Sequence, residues 1–414
     1  MESTAPKVPH GHLPPELIFD ILLRLLVKSL LRFTCVSKSW NSLISSPEFI
    51  KTHLKETSNA RNTAHRKLIF SSTFSPVLDF LTECNFDSVL YSPTIEATDM
   101  VTHMVASSMT EATKIQHPAK KSIDIVGSCN GLVCIAMEYT FNPFASDSIR
   151  DLCFFLWNPS IRKYRKLPQC SFGFDFENSD VAAYGFGYDE LHDDYKFIAF
   201  LRVRSPEKIA EDHDVEIYSQ RTNSWKTNEV FKKYCFLPFQ GGYFVDGKLH
   251  WSGTFHHEEE DHYPSYKIVS FDLADETYGE IELPENYKRK SNALRWSIGV
   301  LGEGRLAFFW LHTPDLDVWI MTDYGATQSW TKMCSIRYPK DLQCRLGFHL
   351  NVHPVFLSKR GELLLKVKSL LLLYNLEDGA YKILEVRSKL RGFRGILKVD
   401  MYDENLVLLD AHDG

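Results

Sequence analysis

The chain has 414 residues, 44% of them apolar and 24% charged, which supports a large folded core in about two to three domains and argues against wholesale disorder. Its 47 basic and 53 acidic side chains give a net charge of −6, so the chain-wide basic surface of a nucleic-acid-binding protein is not expected. Phe, Tyr and Trp account for 13% of the residues. Because aromatic residues favour strands, most of the chain is predicted to be β structure.

The most apolar early stretch, residues 18–33, is interrupted by Asp20, Arg24 and Lys28, and falls short of the roughly 18 apolar residues of a membrane helix. No apolar segment followed by a cleavage site is visible near the start, so neither a membrane span nor a secretory signal is expected. The nine cysteines include no Cys-x-x-Cys pair, a pattern typical of reduced thiols. We therefore expect a protein of the cytoplasm and/or nucleus.

Residues 1–12 are predicted to be a flexible N-terminus and residues 13–54 a separate helical domain. Pro14 and Pro15 suit the first turn of a helix, which is followed by an apolar row at helical spacing: Leu17, Ile18, Ile21, Leu22 and Leu25. Further helices are predicted around three groups: Val27, Leu30 and Leu31; Val36, Trp40, Leu43 and Ile44; and Phe49, Ile50 and Leu54. So small a unit cannot bury all this apolar surface on itself. The surplus must face either the rest of the chain or another protein.

This region resembles an F-box, and plant F-box proteins in particular, through the runs Leu13-Pro14-Pro15-Glu16-Leu17-Ile18, Val27-Lys28-Ser29-Leu30-Leu31-Arg32-Phe33 and Cys35-Val36-Ser37-Lys38-Ser39-Trp40. The resemblance implies that the apolar surface binds the Skp-family adaptor of SCF ubiquitin ligases and, through it, cullin. The implied adaptor-binding residues are Leu13, Pro14, Leu17, Ile18, Ile21, Leu22, Leu25, Val27, Leu30, Leu31, Val36, Trp40 and Leu43. Leu26 departs from the pattern, because the family usually has proline there; we expect a looser turn and a quantitative effect on adaptor binding.

Beyond residue 120 a pattern of strand, polar turn and aromatic residue recurs. The aromatic anchors are Tyr164, Trp225, Tyr278, Trp330 and Tyr381, spaced about 50 to 60 residues apart. Glycine turns before apolar strands are interleaved with them, at Asn130-Gly131, Asp246-Gly247, Glu303-Gly304 and Arg360-Gly361, with a degenerate last copy predicted over residues 403–407. Hairpins repeated at this period predict the blades of a kelch-like β-propeller.

The predicted fold is therefore mainly β with a small N-terminal α domain. We assign residues 120–414 to the propeller, with six blades favoured and seven as the alternative. Residues 55–119 are predicted to be a connector, in which residues 67–70 and 88–91 are candidates to add strands to a first or closing blade. The repeats also resemble the F-box-associated domain of plant F-box proteins, through Gly127-Ser128-Cys129-Asn130-Gly131-Leu132, Trp157-Asn158-Pro159 and Gly185-Phe186-Gly187-Tyr188-Asp189.

Motifs for catalysis are missing from the sequence: there is no Gly-x-Ser-x-Gly, no Walker loop and no His-Glu-x-x-His. The polar run at residues 256–262 is interpreted as a solvated loop, with a surface for a basic partner or a metal site as weaker alternatives. We expect no catalytic residue, no metal and no cofactor. The resemblance implies a non-catalytic ligase subunit, with the thioester chemistry left to a separate conjugating enzyme.

The predicted function is recognition of a protein substrate for an SCF-type ubiquitin ligase. The propeller is expected to recruit the target through loops on one face, with candidates at residues 170–180, 205–214, 256–263, 285–292 and 337–343. The target, the pathway and the recruiting face stay open. One alternative is an adaptor-binding scaffold without degradation activity. Another is a propeller hydrolase with carboxylates on the central axis, although the recurring Asp246, Asp272 and Asp323 are predicted at turns.

Overall fold

The computed structural model describes residues 13–59, 65–75, 78–91, 94–99, 120–141, 149–169, 179–203, 212–228, 235–236, 240–255, 265–287, 296–312, 315–337, 352–388 and 396–409. Its first part is a helical unit made of α1 (Pro15–Leu23), α2 (Val27–Phe33), α3 (Lys38–Ile44) and α4 (Pro47–Asn59). Helix α1 begins at the proline pair, with Pro14 as N-cap and Glu16 at the positive end of the helix. Helix α4 contains Phe49, Ile50 and Leu54, the last of the predicted helical groups, and extends to Asn59.

Six four-stranded antiparallel blades follow. The first contains β1 (Arg66–Ser75), β2 (Leu78–Asn85), α5 (Phe86–Tyr91) and β3 (Thr94–Asp99). The second contains β4 (Lys120–Cys129), β5 (Leu132–Phe141), β6 (Ile149–Asn158) and β7 (Lys163–Lys166). The third contains β8 (Ser179–Asp189), β9 (Asp194–Val203), β10 (Asp212–Ser219) and β11 (Ser224–Asn228).

The fourth blade is preceded by the short strands β12 (Cys235–Phe236) and β13 (Gln240–Gly241), and contains β14 (Tyr243–Val245), β15 (Lys248–Phe255), β16 (Ser265–Asp272) and β17 (Tyr278–Glu282). The fifth contains β18 (Trp296–Leu301), β19 (Arg305–His312), β20 (Asp315–Met321) and β21 (Trp330–Arg337). The sixth contains β22 (Val352–Leu357), β23 (Glu362–Val367), β24 (Leu370–Asn375) and β25 (Tyr381–Ser388). The last strand, β26 (Ile396–Asp403), pairs with β1 and completes the first blade.

Each blade is covered on both faces by its two neighbours, which explains why the central strands are apolar on both sides. Strand β23 shows this directly: Leu363 and Leu365 pack towards the fifth blade, whereas Leu364 packs towards the first. Six such interblade cores occur, one between every neighbouring pair, and they close the ring. The prediction of six blades is therefore confirmed.

Two of the aromatic anchors, Trp225 and Trp330, bond to a neighbouring blade in addition to packing in an interblade core. The indole Nε1 of Trp225 in the third blade donates to the carbonyl of Pro168 after the second blade, at 2.6 Å. The indole Nε1 of Trp330 in the fifth blade likewise donates to Glu282 O in the fourth, at 3.0 Å. The recurring aromatic residue thus has a structural cause, because it ties the outer strand of one blade to its neighbour.

The glycine turns form tight hairpins, as predicted. In the second blade Cys129 pairs with Leu132 across Asn130 and Gly131, whose φ angles are 50° and 73°. Two consecutive positive φ angles are the requirement of a two-residue turn that follows the twist of the strands. Asp246 and Gly247 repeat this geometry in the fourth blade, with φ angles of 51° and 73°.

Two local predictions are wrong. Residues 88–91 lie in helix α5 and not in a strand, because Phe86 and Val89, three residues apart, both point into the core between the sixth and first blades. The degenerate hairpin expected at residues 403–407 does not form. Strand β26 ends at Asp403, and residues 404–409 continue without regular structure.

Alternating strand directions define two faces of the ring. Turns from first to second strand and from third to fourth strand lie on one face, named here the near face. Connections from second to third strand, and from each blade to the next, lie on the other, named the far face. The helical unit sits on the near face, since its core includes Leu406 and packs against Ile161 in the turn between β6 and β7.

Candidate functional site

The helical unit has a compact core of its own. Leu22, Val27, Leu30, Ile44 and Phe49 are each at most 2% exposed and form one cluster. They come from all four helices, so they fix how the helices lie against one another. Burying each such side chain contributes about 1.5–3 kcal/mol in gross terms.

A set of apolar side chains stays uncovered on the outside of this unit. Leu17 and Ile21 are four residues apart on one face of α1 and are 49% and 51% exposed, and Leu13, two residues before the helix, is 56% exposed. Leu31 and Val36, in and after α2, are 38% and 60% exposed. We name these five residues the apolar stripe. Of the eleven large apolar side chains exposed in the described ranges, six lie between positions 13 and 36, which singles out this surface as a site for a partner.

The structure divides the residues predicted to bind the adaptor into three groups. Exposed and available to a partner are the apolar stripe and Pro14. Half-buried against the core are Ile18, Leu25, Trp40 and Leu43. Fully enclosed are Leu22, Val27 and Leu30, so these three support the helices from inside and do not reach a partner in this conformation.

Trp40 braces two helices. Its ring meets the ring of Phe33 edge-on, with 5.4 Å between the centroids, which joins α3 to α2. The backbone N–H of Trp40 also donates to Ser37 Oγ at 3.1 Å, the hydrogen bond of a helix N-cap. The side chain therefore holds the helices in place behind the exposed surface.

Leu26 occupies the N-cap of α2 with φ −63° and ψ 145°. This φ is the value to which a proline ring would lock the backbone, so the turn has the expected geometry without proline. The expectation of a looser turn is not reflected in the backbone. Leu26 is also 41% exposed, so it presents apolar surface beside the stripe.

A buried asparagine fastens the helical unit to the propeller. Asn405 Oδ1 accepts from Asn158 Nδ2 and from the Val407 N–H, both at 2.7 Å, and Asn405 Nδ2 donates to Asn130 O at 2.9 Å. These bonds hold the chain after β26 against two turns of the second blade. The next residue, Leu406, then inserts into the helical core.

An ion pair adds a second connection, between Lys51 of α4 and Asp193 in the turn from β8 to β9. Both side chains are largely exposed, so this pair is a minor contribution. Together with the Asn405 contacts it places the helical unit over the near-face turns of the second and third blades.

The strands on either side of the five candidate recruitment loops begin or end at the same face of the ring. Each joins either the second to the third strand of a blade or one blade to the next, and the strands that flank them end at the far face. Most residues of these loops lie outside the described ranges, as does the polar run at residues 256–262. The order of the strands alone therefore separates the candidate target-binding loops from the helical unit by the depth of the propeller.

The innermost strands surround a central channel that carries charged side chains from several blades. Lys366, Lys398, Asp124 and Asp400 line it, together with His353. A propeller hydrolase would need carboxylates on this central axis. The recurring acids of the sequence lie elsewhere: Asp246 is in a hairpin turn, Asp272 pairs with Lys248 at 3.0 Å, and Asp323 is exposed.

Three buried thiols, Cys84, Cys129 and Cys134, are poorly suited to nucleophilic chemistry. Burial raises the pKa of Cys84 to about 12, and it raises the pKa of Cys129 and Cys134 further, so these groups remain protonated at neutral pH. Within the ranges that the structure describes, no group of three or more His, Cys, Asp or Glu side chains is placed to hold a metal ion. Nor is any described helix long and apolar enough to cross a membrane.

A helical unit with an exposed apolar stripe, fixed to one face of a six-bladed propeller, defines the chain as an F-box protein with a β-propeller. The F-box associated beta propeller domain family matches residues 80–394, and the F-box domain family matches residues 11–52. The chain belongs to the F-box proteins that carry an F-box associated propeller. This combination is typical of substrate receptors of SCF ubiquitin ligases, and F-box proteins are in general non-catalytic adaptors.

Relatives agree with this assignment over most of the chain. An F-box/kelch-repeat protein of Arabidopsis thaliana is 30% identical over 382 residues, which cover 90% of each chain. The F-box protein CPR1 of Arabidopsis thaliana is 28% identical over 350 residues, covering 80% of this chain and 74% of that protein. The likeness therefore includes the helical unit and the propeller in the same order.

Proposed function

We propose that this chain is the substrate-recognition subunit of an SCF-type ubiquitin ligase of the cytoplasm and/or nucleus. The apolar stripe binds a Skp-family adaptor and, through it, cullin, while the far face of the propeller recruits a protein target. The observation that carries the proposal is the apolar stripe itself, because Leu17 and Ile21 share one face of α1, Leu13 precedes that helix, and all three are exposed with no covering element among the described residues.

The energetics are adequate for a stable complex. Burying the remaining exposed half of five aliphatic side chains contributes roughly 0.7–1.5 kcal/mol each. Association and side-chain ordering offset part of this gain, and polar contacts at the rim add to it, so micromolar to nanomolar affinity is expected.

The proposed role is positional. The contacts of Asn405 fasten the propeller to the F-box. A target held at the far face of the propeller therefore has a restricted set of orientations towards the conjugating enzyme. Holding a target lysine near that enzyme raises its effective concentration without any chemistry by this chain. The protonated state of the buried thiols supports a role without a thioester on them.

The test compares the wild type with a Leu17→Ala, Ile21→Ala variant in plant cells. A matched control is Leu191→Ala, Ile383→Ala, because these aliphatic side chains are also exposed but lie on the propeller. Wild type and control should copurify adaptor and cullin and shorten the half-life of proteins that they bind. The stripe variant should bind the same proteins, lose cullin and leave those proteins stable.

Two results would count against the proposal. If a folded wild-type chain retains no adaptor, the F-box is not the functional surface. If adaptor and cullin are retained but bound proteins have the same half-life with wild type and stripe variant, the chain is a scaffold and not a ligase receptor.

A further inference from the structure

The central channel encloses a cavity of about 490 Å³, large enough for a small molecule or for the end of a long side chain. Its wall is formed by residues of the innermost strands, with apolar groups, glycines and charged groups interspersed. The charged side chains around it are Arg66, Asp124, Lys366, Lys398 and Asp400. A bound ligand is needed to balance these charges only where they do not form ion pairs with one another.

Lys366 stands out because its position in β23 alternates with apolar residues. Leu364, on the same side of the strand, packs in the core between the sixth and first blades, and Lys366 continues that row into the channel. Only 7% of Lys366 is exposed. Among the described residues, no carboxylate lies within ion-pair distance of its ammonium and no hydrogen bond to it is found. A buried lysine without a partner is rare, since burial strongly disfavours an unpaired charge.

Its neighbours do not neutralise it. The carboxylate of Asp124 is paired with Lys398 and not with Lys366, because it lies 3.5 Å from the Nζ of Lys398. The same Nζ lies 5.2 Å from the centroid of the Tyr184 ring. Arg66 is occupied by Asp403 at 3.0 Å. Asp400 accepts from the backbone N–H of Met401 at 2.7 Å, and burial raises the pKa of its carboxyl. The channel therefore holds more positive than negative charge.

Glycines leave room at this point. A Cβ on Gly241 would lie 3.0 Å from the Nζ of Lys398 and 2.8 Å from the carbonyl of Val126, so only glycine lets the strand pass so close to the ammonium. A Cβ on Gly127 would meet no atom within 4 Å, which places that backbone beside open space. Small residues thus widen the channel next to its cationic side chains.

The lysine side chains of the channel lie towards its far-face end. Lys366 lies near the end of β23, and it pairs in register with His353 near the start of β22; both of these strand ends lie at the far face. Tyr243 OH and His353 Nδ1 are 3.2 Å apart on the same wall. A ligand entering from the side of the recruitment loops would meet this end of the channel first.

We propose that the central channel is a binding site for an oxyanion, a carboxylate or a phosphate, held between Lys366 and Lys398. The anion supplies the counter-charge that the described protein groups do not give to Lys366, and it forms charge-assisted hydrogen bonds in a setting shielded from water. Its source is either a free small molecule or an acidic group of a bound protein. The site is part of the propeller, so the inference does not rest on the proposed ligase function.

The test uses the full chain without adaptor and the probes inorganic phosphate and citrate. Calorimetric titration of wild type should give saturable binding, and both probes should raise its melting temperature. Lys366→Met should weaken citrate binding by about tenfold or more, since a charge-assisted contact is lost. The matched control is Lys359→Met, whose lysine is on the same blade but exposed to solvent.

Dependence on pH provides a second readout. Burial and the charge of Lys398 lower the pKa of Lys366 to about 8, with Asp124 acting in the opposite direction. The other charged or titratable groups of the channel wall are Arg66, Asp400, His353, Tyr184 and Tyr243. Citrate affinity of the wild type should therefore fall as the pH rises through about 8, and that change should be absent in Lys366→Met.

A third arm identifies the source of the anion. If short peptides that end in glutamate or contain phosphoserine bind more tightly than free citrate and phosphate, the anion belongs to a protein; the reverse order indicates a free small molecule. The proposal is overturned if neither the probes nor the peptides bind a folded wild-type chain. Equal binding of the probes by wild type and Lys366→Met would overturn it too, and melting curves of both proteins show that each is folded.

Discussion

Replacing Asn405 by alanine tests how the F-box is attached to the propeller. The side chain is fully buried, and its amide satisfies the backbone N–H of Val407 and the carbonyl of Asn130, besides the amide of Asn158. In Asn405→Ala, Asn158 Nδ2 keeps a bond to Val407 O at 2.9 Å, whereas the Val407 N–H and the Asn130 carbonyl lose their partners. Both groups are partly buried, so leaving each unsatisfied costs towards the lower end of about 1–3 kcal/mol, and the free energy of unfolding should fall by roughly 2–4 kcal/mol.

The assay is urea unfolding of the full chain, followed by the fluorescence of its eight tryptophans. The matched control is Leu408→Ala, three residues further along the same segment and 52% exposed, which should change stability by less than about 0.5 kcal/mol. In a double-mutant cycle with Asn158→Ala, the two changes should not be additive, because the residues are bonded directly. The role assigned to Asn405 in fastening the F-box would be refuted if Asn405→Ala were as stable as the wild type, or if the effects in the cycle were additive.

Three further predictions concern individual side chains. Leu22→Ala should cost about 2–5 kcal/mol of unfolding free energy and the exposed Leu17→Ala much less, as urea titration will show. Burial alone would raise the pKa of Asp317, but hydrogen bonds from Lys332, Ser335 and Tyr287 outweigh it and hold that pKa well below its usual value. The ionised carboxylate therefore stabilises the fold above about pH 3.8, and this stabilisation should be lost as the pH falls. Asp317→Asn should remove that part of the acid dependence. Burial lowers the pKa of Lys366 from 10.5 to about 8, so the charged side chain destabilises the fold at pH 7. Lys366→Met should therefore raise the melting temperature at pH 7, by the equivalent of up to about 3 kcal/mol of unfolding free energy. This gain should vanish as the pH approaches 10.5. A lower melting temperature for Lys366→Met, or unchanged acid sensitivity for Asp317→Asn, would contradict these assignments.

The sequence was informative where one physical requirement controls a position. The proline pair marks the start of α1, and the Asn-Gly and Asp-Gly pairs mark hairpins because only a few residue types adopt positive φ readily. The regular spacing of the aromatic anchors predicted the repeated blades, and at least Trp225 and Trp330 each bond to the neighbouring blade.

It was less informative where apolar residues have two roles. Leu17 and Leu22 belong to the same apolar row, yet one is exposed and the other is enclosed by α2, α3 and α4. Periodicity alone identifies the row but not which part of it a later helix covers. For the same reason the contact list included Leu22, Val27 and Leu30 and omitted Leu26.

The sequence predicted only part of the long-range pairing. Residues 67–70 do lie in a strand of the first, closing blade, as predicted, but no local pattern identified β26 as the partner strand of β1. Asn405 looked like part of a degenerate hairpin, although its partners lie more than two hundred residues away. A signal did exist for Lys366, because a lysine in the otherwise apolar run of β23 conflicts with a strand buried on both faces.

The most direct test of the account is a calorimetric titration of the full chain with a purified Skp-family adaptor. The wild type should form a saturable one-to-one complex, and Leu17→Ala, Ile21→Ala should bind at least about tenfold more weakly, a difference of about 1.4 kcal/mol. The propeller variant Leu191→Ala, Ile383→Ala should bind as the wild type does. A folded wild type that gives no saturable binding, or a stripe variant that binds undiminished, would contradict the claim that the exposed face of α1 is the adaptor-binding surface.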